Sequence, residues 1–550
     1  MNLAVRQERG WVRSTSRSRF GVRASQRYCC DWLSAQSRST DNLWMHRAQL
    51  RVWKFPSLLR APSGRITAMI PLRRQPGPAG HWLSGNLGDF GRDPLGFLGL
   101  CAANYGDVVR LRFFNRSVCL VNNPAVIEHV LATGARKFRK TMGYRTPFMR
   151  RLFGNGLLTS EGEHWTKQRR LAQPAFHRDR INAYARQVVE FTDEMVSGWR
   201  SGETMEIHAE VLKLTTRVVV KSLFNSEVPP EIDNLSESSA VVMKRFSSLM
   251  SPSRMWMNLL PSRSGRAFGR VMKQLDEFIF RLVRERRASG EDKGDLLSML
   301  LMAGDEDGSG MSDQELRDEL VTLMVAGLDT TALALSWAIH LLAHHPEVQS
   351  KLKTELSEVA GSRCPTVDEL KRLPFTEAVI KESLRLYPPA WIVGREALED
   401  FEAGGVLIPE GTSVIMSQWL VHRDARWFPD ADAFRPERWL DGSTAGMPKF
   451  AYFPFGGGPR ICIGSAFAMM EATLALAVIQ QRFAFTDVPG KQIGLWPAIT
   501  LQPSTGIWVR LRSVANAPGE TPSSALRDRA CAQSVGDANQ PSRPVENAPC

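Results

Sequence analysis

Hydrophobic and polar positions alternate mainly with the helical period of 3.6 residues between residues 69 and 512. An apolar run at 465–479, in which Glu471 is almost the only charge, predicts a buried helix near the end of this region. The longer helices predicted by the pattern cover residues 178–200, 266–288 and 313–344. We therefore expect a mainly helical fold.

Short strand-like runs add a small β portion. Residues 107–112 and 117–121 predict one hairpin. Residues 406–408 and 412–416, joined by Pro409-Glu410-Gly411, predict a second hairpin. Together the two patterns predict a mainly α (α+β) domain with small β-sheets.

Composition divides the chain into three parts. The 550 residues are 43% hydrophobic, enough for a substantial core, which we place in one large domain over 69–512. Residues 513–550 are rich in Ala, Pro, Ser and Asn and are predicted to be a disordered tail. Residues 1–68 are predicted to be a basic, disordered extension. No run of about 18 apolar residues occurs near the N-terminus, so we expect no membrane-spanning anchor.

The net charge of +13 does not indicate a nucleic-acid partner, because it is concentrated in one segment. Residues 1–68 hold twelve arginines and one lysine against three acidic residues, a net of +10, which leaves +3 for the rest. Arg- and Ser-rich, acid-poor segments are typical of mitochondrial transit peptides, so mitochondrial localisation is one alternative. The other, which we prefer, is that the segment is unstructured or is upstream sequence translated from a misplaced start. The eight cysteines show no regular spacing, which favours a reducing, cytoplasmic setting.

The candidate chemistry lies in the glycine-rich stretch 455–464, where Cys462 directly precedes the predicted helix. Amide groups at a helix N-terminus favour a thiolate, and the glycines let the backbone approach a flat surface closely. A thiolate beside a flat cofactor indicates the proximal ligand of a haem iron. A zinc site would need further Cys or His at ligand spacing, and a phosphate loop would need Gly-Lys-Ser/Thr. Neither pattern is present here.

The pattern Phe-x-x-Gly-x-Arg-x-Cys-x-Gly at 455–464 resembles the haem-binding loop of the cytochrome P450 family, and Ala468 and Glu471 continue the family pattern. The resemblance covers about residues 69–512. It implies haem b held between the long central helix and the cysteine loop. Cys462 would be the iron ligand, with Phe455, Arg460 and Gly464 among the residues that bind the cofactor.

The predicted long helix begins with a capping box at Ser312 and Glu315 and carries the sequence 326–331, Ala-Gly-Leu-Asp-Thr-Thr. The glycine and the threonines weaken the helical ladder there, which would open a groove for dioxygen. Taken in isolation, these residues are explained better by close helix packing and local capping. The stretch resembles the family's oxygen-binding motif, which implies that Thr330 and Asp329 support proton delivery.

Glu382 and Arg385 lie at i and i+3 on one predicted helix face, a spacing that usually gives a surface ion pair of little energetic value. In this context they resemble the family's Glu-x-x-Arg helix. The resemblance implies a third partner, Arg438, and a buried, structural charge lock.

Haem propionates need cationic donors, and Arg460 is one candidate. Trp165 and Arg169, at i and i+4, resemble the family's Trp-x-x-x-Arg propionate site. Arg395 stands where many family members supply another arginine, although an exposed surface arginine explains that residue alone equally well.

The resemblance implies a monooxygenase that inserts one oxygen atom from dioxygen into a small hydrophobic substrate. It implies an apolar pocket, whose residues could also be core: Leu323, Ala326, Ala390, Ile392 and Val393. The absence of charge among them favours a hydrophobic substrate. Residues 154–160, Gly162, Trp165 and residues 173–177 resemble bacterial members that oxidise fatty acids, terpenoids or polyketides, which favours a lipid or terpenoid.

Electrons are expected from an external donor of the ferredoxin or flavodoxin type, docking near Lys167, Arg170 and Arg460, and we expect a monomer. Two alternatives are a peroxide-driven or isomerising haem-thiolate enzyme and a non-catalytic haem-binding sensor.

Overall fold

The computed structural model describes residues 70–228, 235–250, 263–304 and 310–514. The predicted N-terminal extension and nearly all of the predicted C-terminal tail lie outside these ranges. Ser513, the first residue of that predicted tail, is the last residue of a β-strand. The folded domain therefore ends slightly later than the composition indicated.

Helices account for most of the described chain, as the hydrophobic period predicted. In chain order they are α1 (Leu87–Arg92), α2 (Pro94–Tyr105), α3 (Pro124–Glu128), α4 (Pro147–Phe153), α5 (Gly162–Ala172), α6 (Arg178–Ser197), α7 (Ile207–Phe224), α8 (Leu235–Met250), α9 (Arg263–Ser289), α10 (Leu296–Met302), α11 (Asp313–Ala343), α12 (Pro346–Val359), α13 (Pro374–Leu386), α14 (Gln418–Val421) and α15 (Ser465–Arg482). The three long helices predicted from the sequence correspond to α6, α9 and α11.

Within the described ranges the strands are short and form four small sheets. They are β1 (Ile70–Pro71), β2 (Val108–Phe113), β3 (Arg116–Val121), β4 (Phe138–Lys140), β5 (Thr204–Glu206), β6 (Val393–Ala397), β7 (Phe401–Ala403), β8 (Val406–Ile408), β9 (Ser413–Met416), β10 (Phe483–Asp487), β11 (Leu495–Pro497), β12 (Leu501–Pro503) and β13 (Trp508–Ser513). The largest sheet has the order β2-β3-β9-β6-β4, and the others are β1-β8-β7, β10-β13-β5 and β11-β12. The β2–β3 hairpin confirms the first predicted hairpin.

The second predicted hairpin is wrong, although both of its strands exist. β8 pairs with β7, and the turn between them is Gly404-Gly405, with φ of +57° and +82°. Two-residue hairpin turns favour positive φ at both positions, which glycine supplies. β9 instead pairs with β3 and β6 in the five-stranded sheet. The glycine pair was the stronger turn signal, and the prediction overlooked it.

Helix α11 is the structural centre of the domain. The capping box of Ser312 and Glu315 is formed, with each side chain accepting a hydrogen bond from the other residue's backbone amide. The helix packs against α7, α9, α13 and α15. It is long and apolar enough to cross a membrane by length and composition, but 78% of its apolar window is buried inside the fold. These properties identify it as the core helix of the domain.

Candidate active site

The loop 455–464 closes on itself ahead of α15. The Cys462 amide donates to the Phe455 carbonyl over 3.0 Å, and Gly464 is the N-cap of α15. A Cβ on Gly458, where φ is +64°, would lie 1.9 Å from the Leu131 carbonyl oxygen. A Cβ on Gly457 would lie 2.2 Å from the ring of Phe450.

These contacts correct the explanation given above for the glycines. Gly457 and Gly458 are required by close protein neighbours rather than by a flat cofactor. Gly456, with φ of +70°, meets no other protein atom within 4 Å. Of the three, it alone leaves its side of the loop open for a bound group.

Cys462 differs from the other described free cysteines. Cys101 and Cys119 are buried, and burial raises their thiol pKa values to about 11 and about 12. Cys462 is exposed, although it lies deep in the fold at the start of the buried helix α15. Burial raises its pKa, while the Gly464 amide and the Arg169 guanidinium act in the opposite direction. An accessible thiol with an amide and a cation beside it is suited to metal ligation.

The middle of α11 carries a second accessible stretch. Ala326 is exposed and Thr330, one turn later, is half-buried, in a helix whose other residues are mostly buried. Ile463, next to the cysteine, packs against the apolar cluster that contains Leu323 and Leu328 of α11. Because Ile463 packs against this cluster, we infer that Ala326 and Thr330 lie near Cys462, and we call the region of these three residues the central cleft.

Arginines surround the cysteine side of the cleft. Arg169 donates to the Ile461 carbonyl over 2.9 Å, which holds the loop directly before the cysteine. The Arg460 guanidinium stacks on Trp165, 4.8 Å from the ring centre, and pairs with Glu161. The structure therefore brings together the predicted residues of α5 and of the loop.

Two guanidinium groups near the cysteine loop are not fully partnered within the described residues. Nη1 of Arg460 is buried and has no hydrogen-bond acceptor among the described residues. Arg395 is 7% exposed, and within the described part of the chain it forms no ion pair and donates only to the Gly394 carbonyl. Burial lowers its pKa, and the Arg460 charge acts in the same direction. Under-partnered buried cations fit an anionic group such as a haem propionate, so the residues present fit haem.

The sequence analysis missed Lys140, which joins this cationic cluster from β4. Its Nζ donates to the Leu157 and Ser160 carbonyls, both over 2.7 Å, and the side chain is buried. Burial and the nearby Arg460 charge lower its pKa to about 7. Nothing in the local sequence pattern distinguishes this lysine from a surface residue.

Thr330 and Asp329 point in different directions, since consecutive helical residues are rotated by about 100°. The Thr330 hydroxyl donates to the Ala326 carbonyl over 2.6 Å, the back-bonding expected from the sequence. Asp329 is buried and accepts hydrogen bonds from Thr500 and Gln502, beside β12. These two partners were not predicted, because they lie far away in the chain.

The predicted charge lock is formed around Glu382. Arg385 donates to both carboxylate oxygens over 3.0 and 2.8 Å, and Arg438 donates to one over 2.9 Å. All three residues have a relative exposure of 0%. Trp439, which was not predicted, donates its indole N–H to the same carboxylate over 2.9 Å.

The predicted pocket residues fall into different surroundings. Leu323 and Ala326 lie on α11, and Ala390 is exposed. Ile392 and Val393 are half-buried and pack against two other apolar clusters. Ile499, in the β11–β12 turn, packs against the same cluster as Leu323 and was missed.

Comparison with known proteins agrees with this geometry. Residues 75–508 match the family model described as Cytochrome P450. The chain is 37% identical to cyclooctatin synthase of Streptomyces melanosporofaciens, over 77% of this chain and 92% of that protein. It is 37% identical to cyclooctat-9-en-7-ol 5-monooxygenase of the same organism (72% and 86% covered) and 33% identical to pentalenene oxygenase of Streptomyces avermitilis (78% and 94% covered).

Proposed function

We propose, since the chain belongs to the cytochrome P450 family, that this monooxygenase uses haem b to hydroxylate a hydrophobic terpenoid. The observation that supports the proposal is that one cysteine and the Ala326–Thr330 turn of α11 are both accessible, although the helices beside them are mostly buried. The similar proteins named above include oxygenases of terpenoid compounds.

Haem bound at this site supplies the chemistry that activates dioxygen, so that one oxygen atom enters a C–H bond and the other leaves as water. Cys462 would be the iron ligand; burial raises the pKa of its thiol, and the Gly464 amide and the Arg169 guanidinium oppose that shift. Arg460 and Arg395 would hold the propionates. Each of these side chains is positioned by contacts within the protein, so the site is preorganised.

Thr330 and Asp329 would supply protons from the α11 side of the cleft. The Thr330 hydroxyl, now bonded to the Ala326 carbonyl, can rotate to donate into the cleft. The Asp329 carboxylate lies on the adjacent residue and can accept and release a proton. Since the hydroxyl and the carboxylate point in different directions, a proton would pass between them through water.

The cleft residues favour an apolar substrate. Leu323, Ala326 and Ile499 carry no charge, and a hydrocarbon gains free energy by leaving water for such surroundings. A terpenoid fits this lining better than a polar or charged molecule. The hydroxylated position is set by how the substrate packs against these side chains.

An external ferredoxin or flavodoxin-type protein would deliver electrons to this monomer in the cytoplasm. Arg170 is exposed on α5, the helix that holds the cysteine loop through Arg169, and Lys167 is half-buried beside it. Arg460 was expected to join this docking surface, but its side chain is only 15% exposed and paired with Glu161. Reversing the charge of Arg170 should slow reduction, whereas an unchanged rate contradicts docking at α5.

The proposal is tested by incubating the haem-loaded chain with a panel of terpenes and fatty acids, a ferredoxin, its reductase and NADPH. We expect a hydroxylated terpenoid that carries an oxygen atom from labelled dioxygen. Products formed only with hydrogen peroxide would support the peroxide-driven alternative. Oxidation of fatty acids alone would contradict the terpenoid assignment.

A further inference from the structure

Asp329 is a buried acid whose partners are all neutral. It is 5% exposed, and it forms no ion pair with any cation of the described residues. Thr500 Oγ1 donates to its Oδ2 over 2.6 Å, and Gln502 Nε2 lies 2.9 and 2.8 Å from its two oxygens. A buried carboxylate is costly unless hydrogen bonds replace its water. Thr500 and Gln502 therefore stabilise the charge at this position.

The two donors form one unit. Thr500 and Gln502 are separated by one residue, and alternate residues of a strand lie on the same face. Gln502 Nε2 also donates to Thr500 Oγ1 over 2.8 Å, so each donor restricts the other. A third contact, from Ser239 of α8, is longer at 3.4 Å. The carboxylate is thus fixed chiefly from the β12 side.

Docking of the β11–β12 hairpin does not require this charged contact. The Leu501 amide donates to the Pro389 carbonyl over 2.9 Å, and the Leu501 carbonyl accepts from the Trp337 indole over 3.3 Å. Trp391 donates to the Ala498 carbonyl over 3.1 Å. Since neutral bonds already hold the hairpin, a buried charge here adds a desolvation cost with little structural benefit.

We propose that Thr500 and Gln502 are positioning residues for proton delivery, and that they hold the Asp329 carboxylate in place beside Thr330. The inference rests on the proposed roles of Asp329 and Thr330. In each turnover the carboxylate accepts a proton from the solvent side, passes one toward Thr330 and returns to its charged form. Both donors act through Asp329 and not on the substrate.

The consequence concerns how electrons are used. One product molecule requires one dioxygen, two electrons and two protons, and releases one water. When protons arrive at the wrong place or too late, the same dioxygen, electrons and protons leave as hydrogen peroxide. Loss of either donor should therefore lower the yield of product per electron more than the rate of electron uptake.

The test compares Thr500→Val and Gln502→Leu with two matched controls. Thr500→Ser keeps the hydroxyl. Thr376→Val removes a buried hydroxyl that donates over 2.6 Å to another carboxylate, Glu355, at the start of α13. We expect product per NADPH to fall about fivefold or more in Thr500→Val and Gln502→Leu, with matching peroxide release. In Thr500→Ser and Thr376→Val, product per NADPH should stay within about twofold of the wild-type value, because both variants keep a hydroxyl at position 500.

A peroxide-driven assay separates positioning from damage to the site. Hydrogen peroxide brings the oxygen, both electrons and both protons together, so its product yield should be unchanged in Thr500→Val. Denaturant unfolding of the haem-free protein gives a readout that does not depend on turnover. The Thr500→Val substitution should lower the unfolding midpoint when Asp329 is present. The same substitution should have little effect on the midpoint in a chain that also carries Asp329→Ala.

The inference would be overturned if both Thr500→Val and Gln502→Leu gave as much product per NADPH as the wild type. Loss of the peroxide-driven reaction in these variants would also overturn it, because the site itself would then be damaged. If the wild-type chain oxidises no terpenoid, the proposed function is contradicted rather than the positioning role of Thr500 and Gln502. In that case Thr376→Val also forms no product.

Discussion

Two pairs of arginines in this fold have opposite surroundings. Arg385 and Arg438 surround Glu382, and their remaining nitrogens donate to backbone carbonyls. Arg395 and Arg460 lie beside the cysteine loop, where one has no ion pair and the other has a buried nitrogen without an acceptor among the described residues. Both pairs lie largely away from water, but only in the first pair are all the guanidinium nitrogens partnered within the described part of the protein.

The difference separates a structural site from a binding site. A complete network of buried charges stabilises the fold only while every partner is present. An incomplete network leaves hydrogen-bond donors unpaired at a cost in free energy, and a bound anion can offset that cost. The first pair should therefore control folding, and the second pair should control retention of haem.

The largest effect is expected at Glu382. Replacing it with alanine leaves Arg385 and Arg438 as uncompensated buried charges, which should cost about 3–5 kcal/mol and abolish soluble expression or haem incorporation. Urea unfolding of Glu382→Ala and of the conservative Glu382→Gln checks this. A near-native midpoint for Glu382→Ala would show that the lock is not structural.

Arg395→Ala and Arg460→Ala should affect haem binding more than the stability of the fold, which is the reverse of the effect at Glu382. We expect haem to dissociate faster, by an amount that corresponds to about 1–3 kcal/mol per arginine, because each propionate loses a charge-assisted hydrogen bond. Haem-free Arg395→Ala should be no less stable than the wild type, since a buried cation without an ion pair is removed, whereas Arg460→Ala also loses the Glu161 ion pair and the Trp165 contact. Haem transfer to apomyoglobin and unfolding of the apoprotein measure the two quantities. Equal losses in both would remove the distinction between the two arginine pairs.

A buried acid on α15 extends the comparison to pH. Burial raises the pKa of Glu471 to about 8 from the ordinary 4.5, while Thr331 acts weakly in the opposite direction. The folded state then keeps a proton that the unfolded state has lost, so stability should fall between pH 4.5 and about 8, by up to ~1.4 kcal/mol per pH unit. Glu471→Gln should flatten that slope in unfolding measured at several pH values. An unchanged slope would show that Glu471 is ionised in the fold.

The smallest effect is expected from Ser239→Ala. Its 3.4 Å contact with Asp329 is the longest of that carboxylate's hydrogen bonds. We expect stability to change by less than about 0.5 kcal/mol and the product yield per NADPH to stay close to that of the wild type. A loss as large as that of Thr500→Val would mean that α8, and not β12, fixes the carboxylate.

The sequence pattern predicted those features that depend on residues close together in the chain. The helical period located α6, α9 and α11, and the capping box placed the start of α11. Spacing on one helix brought Trp165 and Arg169 to one face, and a fixed motif identified Cys462. These features could be read because each is encoded within a few residues.

Features that depend on tertiary contacts could not be read in this way. Lys140, Thr500 and Gln502 reach the site from β4 and β12, and nothing beside them in the sequence indicates a partner. The pairing of β9 with β3 joins strands about three hundred residues apart. The second hairpin was misassigned for the same reason, although Gly404-Gly405 gave a local signal.

The central claim is that Cys462 is the thiolate ligand of a haem at the central cleft. It is tested most directly by the carbon monoxide difference spectrum of the reduced, haem-loaded chain, measured for wild type, Cys462→Ser and Cys119→Ser. The account predicts a thiolate-type band in the wild type and in Cys119→Ser, and its loss in Cys462→Ser. A thiolate-type band that persists in Cys462→Ser, or is absent from the wild type, would contradict it.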